Sequence, residues 1–371
     1  MLNNNMKILF LTNYASPYRV DFFNELGKSC KVTVLFTDSI KEQKHRSQNW
    51  FANQQYSNFK YIQLGKKLGC SKKYIYLDIF KFLNRNYDRI IICGYSTLTA
   101  MLAIEYMRLR KIPFYLEVDG GLIRQDTKIK FWFKKHLISA ANAWFSSGKK
   151  TTEYLIHYGA KPEKIYEYPF TSLCQKDILK QKSSPEYKHI LRKELNIKED
   201  KILISIGQFV HRKGYDILLK AAADLPKDIG IYIIGDNPKQ EYLLLQQKLS
   251  LKNIHFVGFQ SKEELKKWYQ AADVFVLPTR EDIWGLVINE AMAQGLPVIT
   301  TDRCVAGLEL VKEGENGYII PIENSKVLAE TITKTFTKDY EGMGKKSLKF
   351  IQSYTIENMA RKHIEVFNEK K

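Results

Sequence analysis

The sequence predicts an α/β protein made of two doubly wound, Rossmann-like domains that face a cleft. Short apolar runs alternate with helical periodicity along the chain, which is typical of parallel sheets covered by helices on both faces. Twelve such runs are too many for one compact sheet of this type, and 371 residues suit two domains. A polar stretch at residues 181–187, QKSSPEY, separates six of the runs from the other six and is the predicted linker.

Each predicted strand is a short apolar run bounded by turn residues. The runs of the first half are Lys7–Leu11, Lys31–Phe36, Arg89–Cys93, Pro113–Val118, Ala141–Ser146 and Ile165–Tyr168. Those of the second half are Ile202–Ile206, Ile231–Ile234, Ile254–Val257, Val274–Leu277, Val298–Thr301 and Tyr318–Ile320. We expect an N-terminal domain over residues 1–180 and a C-terminal domain over residues 188–350. Residues 351–371 carry a last helix, Ile356–Glu369, that can cross back to the N-terminal domain.

The composition favours a cytoplasmic protein with an anionic partner. The formal net charge is +18, and residues 1–180 hold 29 Lys and Arg against 14 Asp and Glu. Such a basic half indicates nucleic acid or an anionic membrane face. Five scattered cysteines without a CxxC pair argue against a disulfide framework and fit a reducing compartment. The longest apolar region, Ile90–Met107, is explained better by a strand, a turn and a helix than by a membrane span.

The most informative segment is PTREDIWGLVINEAMAQGLPVIT, residues 278–300. It reads as a strand end, an acidic loop, Gly285 and then a helix that opens with Leu286 and Val287. A helix N-terminus offers unpaired N–H groups and a partial positive charge, so it suits a phosphate. Glu290, about one turn further along the helix, can accept hydrogen bonds from sugar hydroxyls. The segment therefore predicts a site for a phosphorylated sugar compound.

A second strand–loop–helix pattern, SIGQFVHRKGYDILLKA, spans residues 205–221. Gly207 begins the loop, and Arg212 and Lys213 precede Gly214 at its end. A guanidinium and an ammonium at the end of a parallel strand suit a diphosphate, although a basic loop alone is often only solvated. Ligands of such sheets bind beyond the carboxyl ends of the strands. We therefore expect this loop and the acidic loop to lie at one edge of the cleft.

As an ordered set, these segments resemble the retaining glycosyltransferases of family 4, which have the GT-B fold of two Rossmann-like domains. The resemblance covers nearly all of residues 200–325. Its segments are GQFVHRKGYDILLKA, YIIGDNP, NIHFVGFQSKEELKKWYQAADVFVLPT, EDIWGLVINEAMAQGLPVI and GENGYIIP. The N-terminal half matches less closely, with SPYRVDFFNEL after the first strand as its best piece.

The resemblance implies roles for individual residues. Arg212 and Lys213 would neutralise the diphosphate of the donor, Glu290 would bind the ribose, and Asp282 would lie near the donor sugar and its phosphate. Further implied contacts with the donor come from Gly207, from the N–H groups of Leu286 and Val287 behind Gly285, and from the main chain at Phe259 and Gln260, which would read the base.

Three positions depart from the family pattern. The first acidic position is commonly Glu, whereas the register places Asp282 there with Glu281 beside it, so either carboxylate can contact the sugar. Gln208 stands where Arg is common, which removes one cation for the phosphate. The loop after the first strand, NYASPYR, lacks the usual paired glycines, and Arg19 could replace some of the missing positive charge.

The expected chemistry follows from charge. Cleavage of the bond between sugar and nucleotide puts negative charge on the leaving phosphate, and Arg212, Lys213 and the helix start at Leu286 would stabilise it. Side-chain cations can replace a metal, and the nearest approach to a DxD pair is Glu117-Val118-Asp119. We therefore expect no metal cofactor. The resemblance implies retention, through a same-face attack assisted by the leaving phosphate.

The acceptor side is expected in the N-terminal domain. FYLEVDGGLIRQD runs from a strand into a glycine turn, and Asp119 stands where many relatives have a histidine. One interpretation is that Asp119 orients or deprotonates the acceptor hydroxyl. The alternative is an aspartate that caps a turn, as is common at strand ends.

Two stretches combine basic and aromatic residues. One is a predicted helix at residues 127–145, with Lys128, Lys130, Lys134 and Lys135 among Phe131, Trp132 and Phe133. The other is KKLGCSKKYIYLDIFKFLNR, residues 66–85. Such a mixture suits an anionic membrane face, and an ordinary helix with a solvated lysine face is the alternative.

We therefore predict a cytoplasmic glycosyltransferase at the inner face of the membrane. It moves a sugar from a UDP- or GDP-type donor to a glycan or lipid-linked acceptor of polysaccharide or lipopolysaccharide biosynthesis. The alternative within the same fold is a nucleotide-sugar epimerase or hydrolase. A nucleic-acid-binding protein would explain the charge, but the charge is not joined to any RNA or DNA module.

Overall fold

The computed structural model describes residues 5–38, 55–65, 67–68 and 75–369. The chain divides into two compact units. The first comprises Met1–Ser172 and Tyr354–Lys371, and the second comprises Leu173–Ser353. The division therefore comes before the predicted linker at residues 181–187. That stretch runs into a helix instead, because Pro185 sits in its first turn and Ser184 Oγ accepts a 3.2 Å hydrogen bond from Tyr187 N.

The first unit is built on a parallel sheet of seven strands in the order β3-β2-β1-β6-β7-β8-β9, with a separate antiparallel pair, β4 and β5. The strands are β1 (Lys7–Thr12), β2 (Lys31–Phe36), β3 (Lys60–Gln63), β4 (Lys67–Leu68), β5 (Ile75–Tyr76), β6 (Arg89–Cys93), β7 (Tyr115–Val118), β8 (Ala143–Ser146) and β9 (Ile165–Glu167). Its first helices are α1 (Pro17–Gly27), α2 (Leu98–Leu109), α3 (Lys128–Ile138) and α4 (Lys149–His157), with 3₁₀ turns at Leu77–Lys81 and Pro162–Lys164.

The second unit is built on a parallel sheet of six strands in the order β12-β11-β10-β13-β14-β15. The strands are β10 (Lys201–Ile206), β11 (Ile229–Ile234), β12 (Ile254–Val257), β13 (Val274–Leu277), β14 (Val298–Thr301) and β15 (Gly317–Ile320). The helices are α5 (Pro185–Glu194), α6 (Tyr215–Ala222), α7 (Gln240–Lys248), α8 (Lys262–Ala271), α9 (Leu286–Ala293), α10 (Val305–Leu310), α11 (Ser325–Thr337) and α12 (Tyr340–Ile351), with 3₁₀ turns at Gln175–Asp177 and His211–Lys213.

The last helix, α13 (Ile356–Asn368), belongs to the first unit. It packs against α1 and buries Met359, His363, Val366 and Phe367. Arg89 Nη2, at the start of β6, donates a 2.6 Å hydrogen bond to Phe367 O near the end of the helix. The chain thus begins and ends in the same unit.

The burial of the strands in the two cores explains why the sequence predicts their positions. All six residues of β11 and all four of β13 are buried, as expected for parallel strands that helices cover on both faces. The twelve predicted strands are all confirmed, as is the last helix, and Ile90–Met107 forms β6 and most of α2. None of the helices in the described residues has both the length and the apolar character that crossing a membrane needs.

One prediction of local structure was wrong, and two further stretches show elements that the pattern did not predict. The helix predicted over residues 127–145 ends at Ile138, because residues 143–146 form the fully buried strand β8. The basic and aromatic stretch at residues 66–85 contains β4, β5 and a 3₁₀ turn where it is described, while residues 66 and 69–74 lie outside the described residues. The pattern also missed β3, since this strand exposes three of its four residues and so shows no apolar run.

Candidate functional site

Two loops lie side by side at the carboxyl edge of the sheet in the second unit. We call residues 207–214 the basic loop and residues 278–285 the acidic loop. The basic loop follows β10 and the acidic loop follows β13, and these strands are parallel neighbours with Leu203 opposite Val274. The strand order reverses between them, and open α/β sheets bind ligands at such switch points.

Main-chain contacts hold the two loops together. Arg212 O accepts a 2.8 Å hydrogen bond from Arg280 N and another of 2.8 Å from Thr279 Oγ1. Gly214 has φ +70°, and a Cβ atom there would lie 2.0 Å from Pro278 O. Only glycine allows both this left-handed backbone and this close approach. The predicted meeting of the two loops at one sheet edge is therefore confirmed.

The loops bring opposite charges into contact. Asp282 Oδ2 lies 2.6 Å from Lys213 Nζ and 3.5 Å from Arg212 Nη1. Arg212 Nη1 also donates a 3.3 Å hydrogen bond to Glu281 O. Lys213 is nearly buried, whereas half of the Arg212 side chain is exposed. Of the two neighbouring acids, Asp282 is thus the one whose carboxylate contacts both cations, and Glu281 contacts Arg212 through its main chain.

Arg280, which sequence reasoning did not select, supports the basic loop from its other side. Its Nη1 and Nη2 atoms each donate a 2.7 Å hydrogen bond to the carboxylate of Asp216 on α6, and Nη1 also donates one of 2.7 Å to His211 O. The guanidinium pairs with Glu323 as well. Hydrogen bonds to Asp216 are the main cause that raises the pKa of Arg280. A fork of this kind fixes orientation as well as charge.

Helix α9 begins directly behind the acidic loop. Gly285 has φ +103°, and a Cβ atom there would lie 2.7 Å from Cys304 Sγ. The first hydrogen bond at the helix start runs from Ile288 N to Gly285 O at 2.9 Å. The N–H groups of Leu286 and Val287 precede it, at the position where helices leave donors without intrahelical partners. The predicted helix start is confirmed, and Gly285 just before it lies near Asp282, whose Cγ atom would be 3.8 Å from a Cβ atom at Gly285.

Glu290 lies on α9, where Glu290 Oε2 accepts a 3.2 Å hydrogen bond from the hydroxyl of Tyr269. The same hydroxyl lies 3.4 Å from Val287 O. Tyr269 is buried on α8, and burial, together with the charge of Glu290, holds the pKa of its phenol well above the usual value. Sequence reasoning missed Tyr269, which ties α8 to the carboxylate that the resemblance assigns to the ribose.

The remaining predicted donor contacts lie at the same sheet edge. Gly207 follows β10, and its N–H donates a 2.9 Å hydrogen bond to Ile234 O at the end of β11. Phe259 and Gln260 follow β12, two strands away from β10. Phe259 is 37% exposed, and Gln260 Nε2 donates a 3.3 Å hydrogen bond to Gly258 O. Gly207 lies beside Lys213, since a Cβ atom there would be 3.3 Å from Lys213 Cε. Phe259 and Gln260 lie farther along the edge, beyond β11.

Asp119 lies in the first unit, just after β7. Its Oδ1 atom lies 2.5 Å from Arg19 Nη2 and accepts a 3.2 Å hydrogen bond from the Tyr168 hydroxyl. The second arm of the Arg19 guanidinium pairs with Glu117 on β7. Arg19 is buried and pairs with both carboxylates. That Arg19 replaces a missing phosphate cation stays a prediction.

The exposed face of α3 differs from the one expected. Ile129, Trp132 and Phe133 are 83%, 63% and 41% exposed, and Lys128, Lys130 and Lys135 lie among them on the surface. Lys134 lies instead 2.7 Å from Asp126, and Phe131 packs 5.4 Å from the ring of Tyr158. The helix thus presents apolar and basic side chains together to its surroundings. We call this set, without Lys134 and Phe131, the α3 face.

The residues that were missed give only weak signals in the sequence. Tyr168 ends a predicted strand, and Tyr269 lies on the buried side of the amphipathic helix α8. Arg280 stands inside a motif in which the acids and the glycine are the more obvious candidates. His363 falls on the apolar stripe of the last helix, where a polar side chain needs a buried partner. Its position in the sequence therefore indicates a buried polar partner in the first unit.

A family comparison gives a match over residues 188–353, to the family described as glycosyl transferases group 1. Among curated relatives, the lipopolysaccharide glucosyltransferase WaaG of Escherichia coli is 27% identical over 216 residues, 54% of this chain and 54% of that protein. The lipopolysaccharide core biosynthesis glycosyltransferase LpsE of Rhizobium meliloti is 32% identical over 133 residues, 35% of this chain and 38% of that protein. The matched stretches span about half or less of these relatives.

The fold is shared over a greater length. The crystal structure of Anabaena HepE in complex with UDP superposes with a TM-score of 0.77 at 19% identity, covering 97% of this chain and 99% of HepE. The expected fold class, two Rossmann-like α/β domains of the GT-B type, is confirmed. The expected cleft between the domains stays a prediction.

Proposed function

We propose, on the premise that residues 188–353 belong to the group 1 glycosyl transferases, that this protein transfers a sugar from a nucleotide diphosphate to a glycan acceptor. The observation that carries the proposal is the meeting of Lys213, Asp282 and the start of α9 at one switch point of the sheet. A diphosphate needs cations and N–H donors together, and this edge supplies both.

Each donor group has a proposed partner. Lys213 and Arg212 neutralise the diphosphate, the N–H groups of Leu286 and Val287 bind its oxygens, and Glu290 accepts hydrogen bonds from the ribose. Asp282 lies where the donor sugar would meet the diphosphate. Gly207, Gly285, Phe259, Gln260 and Glu281 complete the proposed donor site. HepE was crystallised with UDP, which supports a uridine or similar nucleotide as the first donor to test.

The proposed reaction retains the anomeric configuration. The bond between the anomeric carbon and the diphosphate oxygen breaks, and its electron pair stays on the leaving phosphate. Lys213, Arg212 and the start of α9 stabilise that charge. The acceptor oxygen bonds the same face of the anomeric carbon, and its proton passes to the leaving phosphate. Asp119 accepts a hydrogen bond from the acceptor hydroxyl and orients it, and no metal takes part.

The acceptor is proposed to be a lipid-linked glycan at the inner, cytoplasmic face of a membrane, as an intermediate of polysaccharide or lipopolysaccharide biosynthesis. The α3 face supports this part of the proposal, because Trp132 and Ile129 are exposed beside lysines. Apolar side chains flanked by lysines suit the boundary between acyl chains and anionic headgroups. WaaG and LpsE, both named for lipopolysaccharide glycosyl transfer, support the same acceptor class.

A panel of UDP-, GDP- and other nucleotide sugars in thermal-shift measurements tests the donor. A ligand at about 100 times its Kd adds about 2.7 kcal/mol to the free energy of unfolding, so one nucleotide class should stand out. NMR of the product formed on a lipid-linked acceptor then reads the anomeric configuration. Rapid release of free nucleotide without any acceptor would instead indicate the hydrolase or epimerase. Binding of nucleic acid without any nucleotide-sugar response would overturn the proposal altogether.

A further inference from the structure

A cluster of buried charges lies at the carboxyl edge of the sheet in the first unit. Its strand order reverses between β1 and β6, so this edge has its own switch point. Arg19 comes from α1, the helix that follows β1, and Glu117 and Asp119 come from the end of β7, one strand beyond β6. The cluster thus occupies the position where an open α/β sheet binds ligands.

Within the cluster, two side chains converge on Asp119. Arg19 Nη2 lies 2.5 Å from Asp119 Oδ1, and the Tyr168 hydroxyl lies 3.2 Å from the same oxygen. Arg19 and Tyr168 are each 3% exposed. The Asp119 side chain keeps 30% of its surface accessible, so it can still meet a ligand. A carboxylate that two buried donors fix, while one part stays open, has the form of a preorganised acceptor of hydrogen bonds.

Glu117 also contacts both donors, Arg19 and Tyr168. It pairs with Arg19, and Glu117 Oε1 accepts a 3.1 Å hydrogen bond from the Tyr168 hydroxyl. On the far side, His363 of α13 stacks on Phe145 with ring centroids 4.1 Å apart, and His363 Nε2 lies 3.7 Å from Glu117 Oε2. Because His363 Nδ1 lies 2.8 Å from Met359 O, it must donate its hydrogen to that carbonyl. The other ring nitrogen, Nε2, therefore faces Glu117.

We propose that Arg19 and Tyr168 are positioning residues for Asp119: they fix its carboxylate in one orientation, so that the open part of the group orients the acceptor hydroxyl. This inference rests on the proposed function, in which Asp119 contacts the acceptor. Glu117 and His363 act one step further back, since they hold Arg19 and Tyr168 in place. The planar fork of Arg19 presents Nη1 to Glu117 and Nη2 to Asp119, a rigid two-armed geometry that the single ammonium of a lysine lacks.

The surroundings of Asp119 determine the sign of the expected pH effect. The titratable and charged groups around it are Tyr18, Arg19, Cys93, Glu117 and Tyr168. Burial is the main cause that raises the pKa of Asp119; Glu117 adds to the rise, while Arg19 and the Tyr168 hydroxyl oppose it. Loss of the hydroxyl removes a hydrogen bond to the charged form. The pKa of Asp119 must therefore rise further in Tyr168→Phe.

The experiment compares Tyr168→Phe with Tyr232→Phe. The control also loses a buried phenol bound to a carboxylate, since Tyr232 donates a 2.8 Å hydrogen bond to Glu199, but it lies in the second unit. In Tyr168→Phe the acidic limb of the kcat profile should move up by about half a pH unit or more, with KM for the donor unchanged. Arg19→Lys should lower kcat about tenfold with little change in donor KM.

A direct titration keeps the test independent of turnover. The ¹³C NMR signal of the Asp119 carboxyl, assigned with Asp119→Asn, should titrate at higher pH in Tyr168→Phe and as in the parent protein in Tyr232→Phe. An unchanged titration in Tyr168→Phe would overturn the positioning role even if Asp119→Asn abolished transfer. If the titration moved but Asp119→Asn kept parental turnover, the role of Asp119 in the proposed function would fail, and this inference with it.

Discussion

Lys213 Nζ donates a 2.6 Å hydrogen bond to Asp282 Oδ2, and this bond joins the basic loop to the acidic loop. Only 9% of the Lys213 side chain and 13% of the Asp282 side chain are exposed. Each charge thus offsets much of the cost of removing the other from water. An incoming diphosphate would share Lys213 with Asp282, so the pair keeps the ammonium in place before any ligand arrives.

Variants of Lys213 should distinguish its effect on catalysis from its effect on the free energy of unfolding. In the proposed mechanism, Lys213→Met would remove a cation from the leaving diphosphate and should lower kcat/KM by roughly 10²–10³-fold. It also leaves Asp282 without its nearest partner, which should lower the free energy of unfolding by about 2 kcal/mol. The double variant Lys213→Met/Asp282→Asn should recover most of the stability, measured in urea, and none of the activity. Lys220→Met, at a half-exposed lysine on α6, is the control. If the activity of Lys213→Met stayed within threefold of the parent protein, the proposed role of Lys213 would be contradicted.

The close approach of the loops makes Gly214 irreplaceable. Gly214→Ala puts a Cβ atom 2.0 Å from Pro278 O on a backbone with φ +70°. Gly314 offers a matched control, because it has φ +71° and nothing within 4 Å of a Cβ atom. Gly314→Ala should cost only the backbone strain, about 1 kcal/mol, whereas Gly214→Ala should cost about 3 kcal/mol or more. Equal urea midpoints for the two variants would show that the loops can separate at no cost.

Tyr269 should affect donor affinity through Glu290. Tyr269→Phe removes the 3.2 Å hydrogen bond that orients the carboxylate, and the Kd of the nucleotide should rise about three- to tenfold. The effect should vanish for a 2′,3′-dideoxy nucleotide, which lacks the hydroxyls that Glu290 would bind. Titration calorimetry with both nucleotides makes the comparison. An equal loss for the two ligands would place the effect of Tyr269 elsewhere.

The α3 face should bind anionic vesicles. Ile129→Ala/Trp132→Ala removes its two most exposed apolar side chains and should reduce flotation with vesicles of phosphatidylglycerol at low salt about tenfold. Ile190→Ala/Leu244→Ala removes two exposed apolar side chains of the second unit and should leave flotation unchanged. Binding that persists in the first variant, or binding to neutral vesicles alone, would count against this surface.

Turnover should be independent of divalent metal. In the proposed mechanism, Arg212, Lys213 and the start of α9 would supply the positive charge that a metal would otherwise bring to the diphosphate. Activity in excess EDTA should therefore stay within about twofold of the untreated enzyme, with release of nucleotide followed by a coupled assay. A loss of turnover that added magnesium or manganese restores would refute the metal-free mechanism.

The sequence by itself determined most local elements of the fold and most residues of the proposed donor site. The strands at Val274–Leu277 and Ile231–Ile234 could be predicted because strands buried on both faces are continuously apolar. Four residues of the proposed donor site could be predicted because they stand at fixed offsets from a strand end or a helix start: Lys213, Asp282, Gly285 and Glu290. By contrast, β3 is exposed and short, and it leaves no comparable pattern.

Only the tertiary structure decided which side chains meet. Asp282 rather than Glu281 contacts Lys213 because the acidic loop turns that residue toward the basic loop. Arg19 is held by Glu117 and Asp119, which are 98 and 100 residues away in the chain. His363 reaches the same cluster because α13 packs on the first unit. Apolar periodicity reports which residues are buried, whereas the partners of a buried charge depend on elements far apart in sequence.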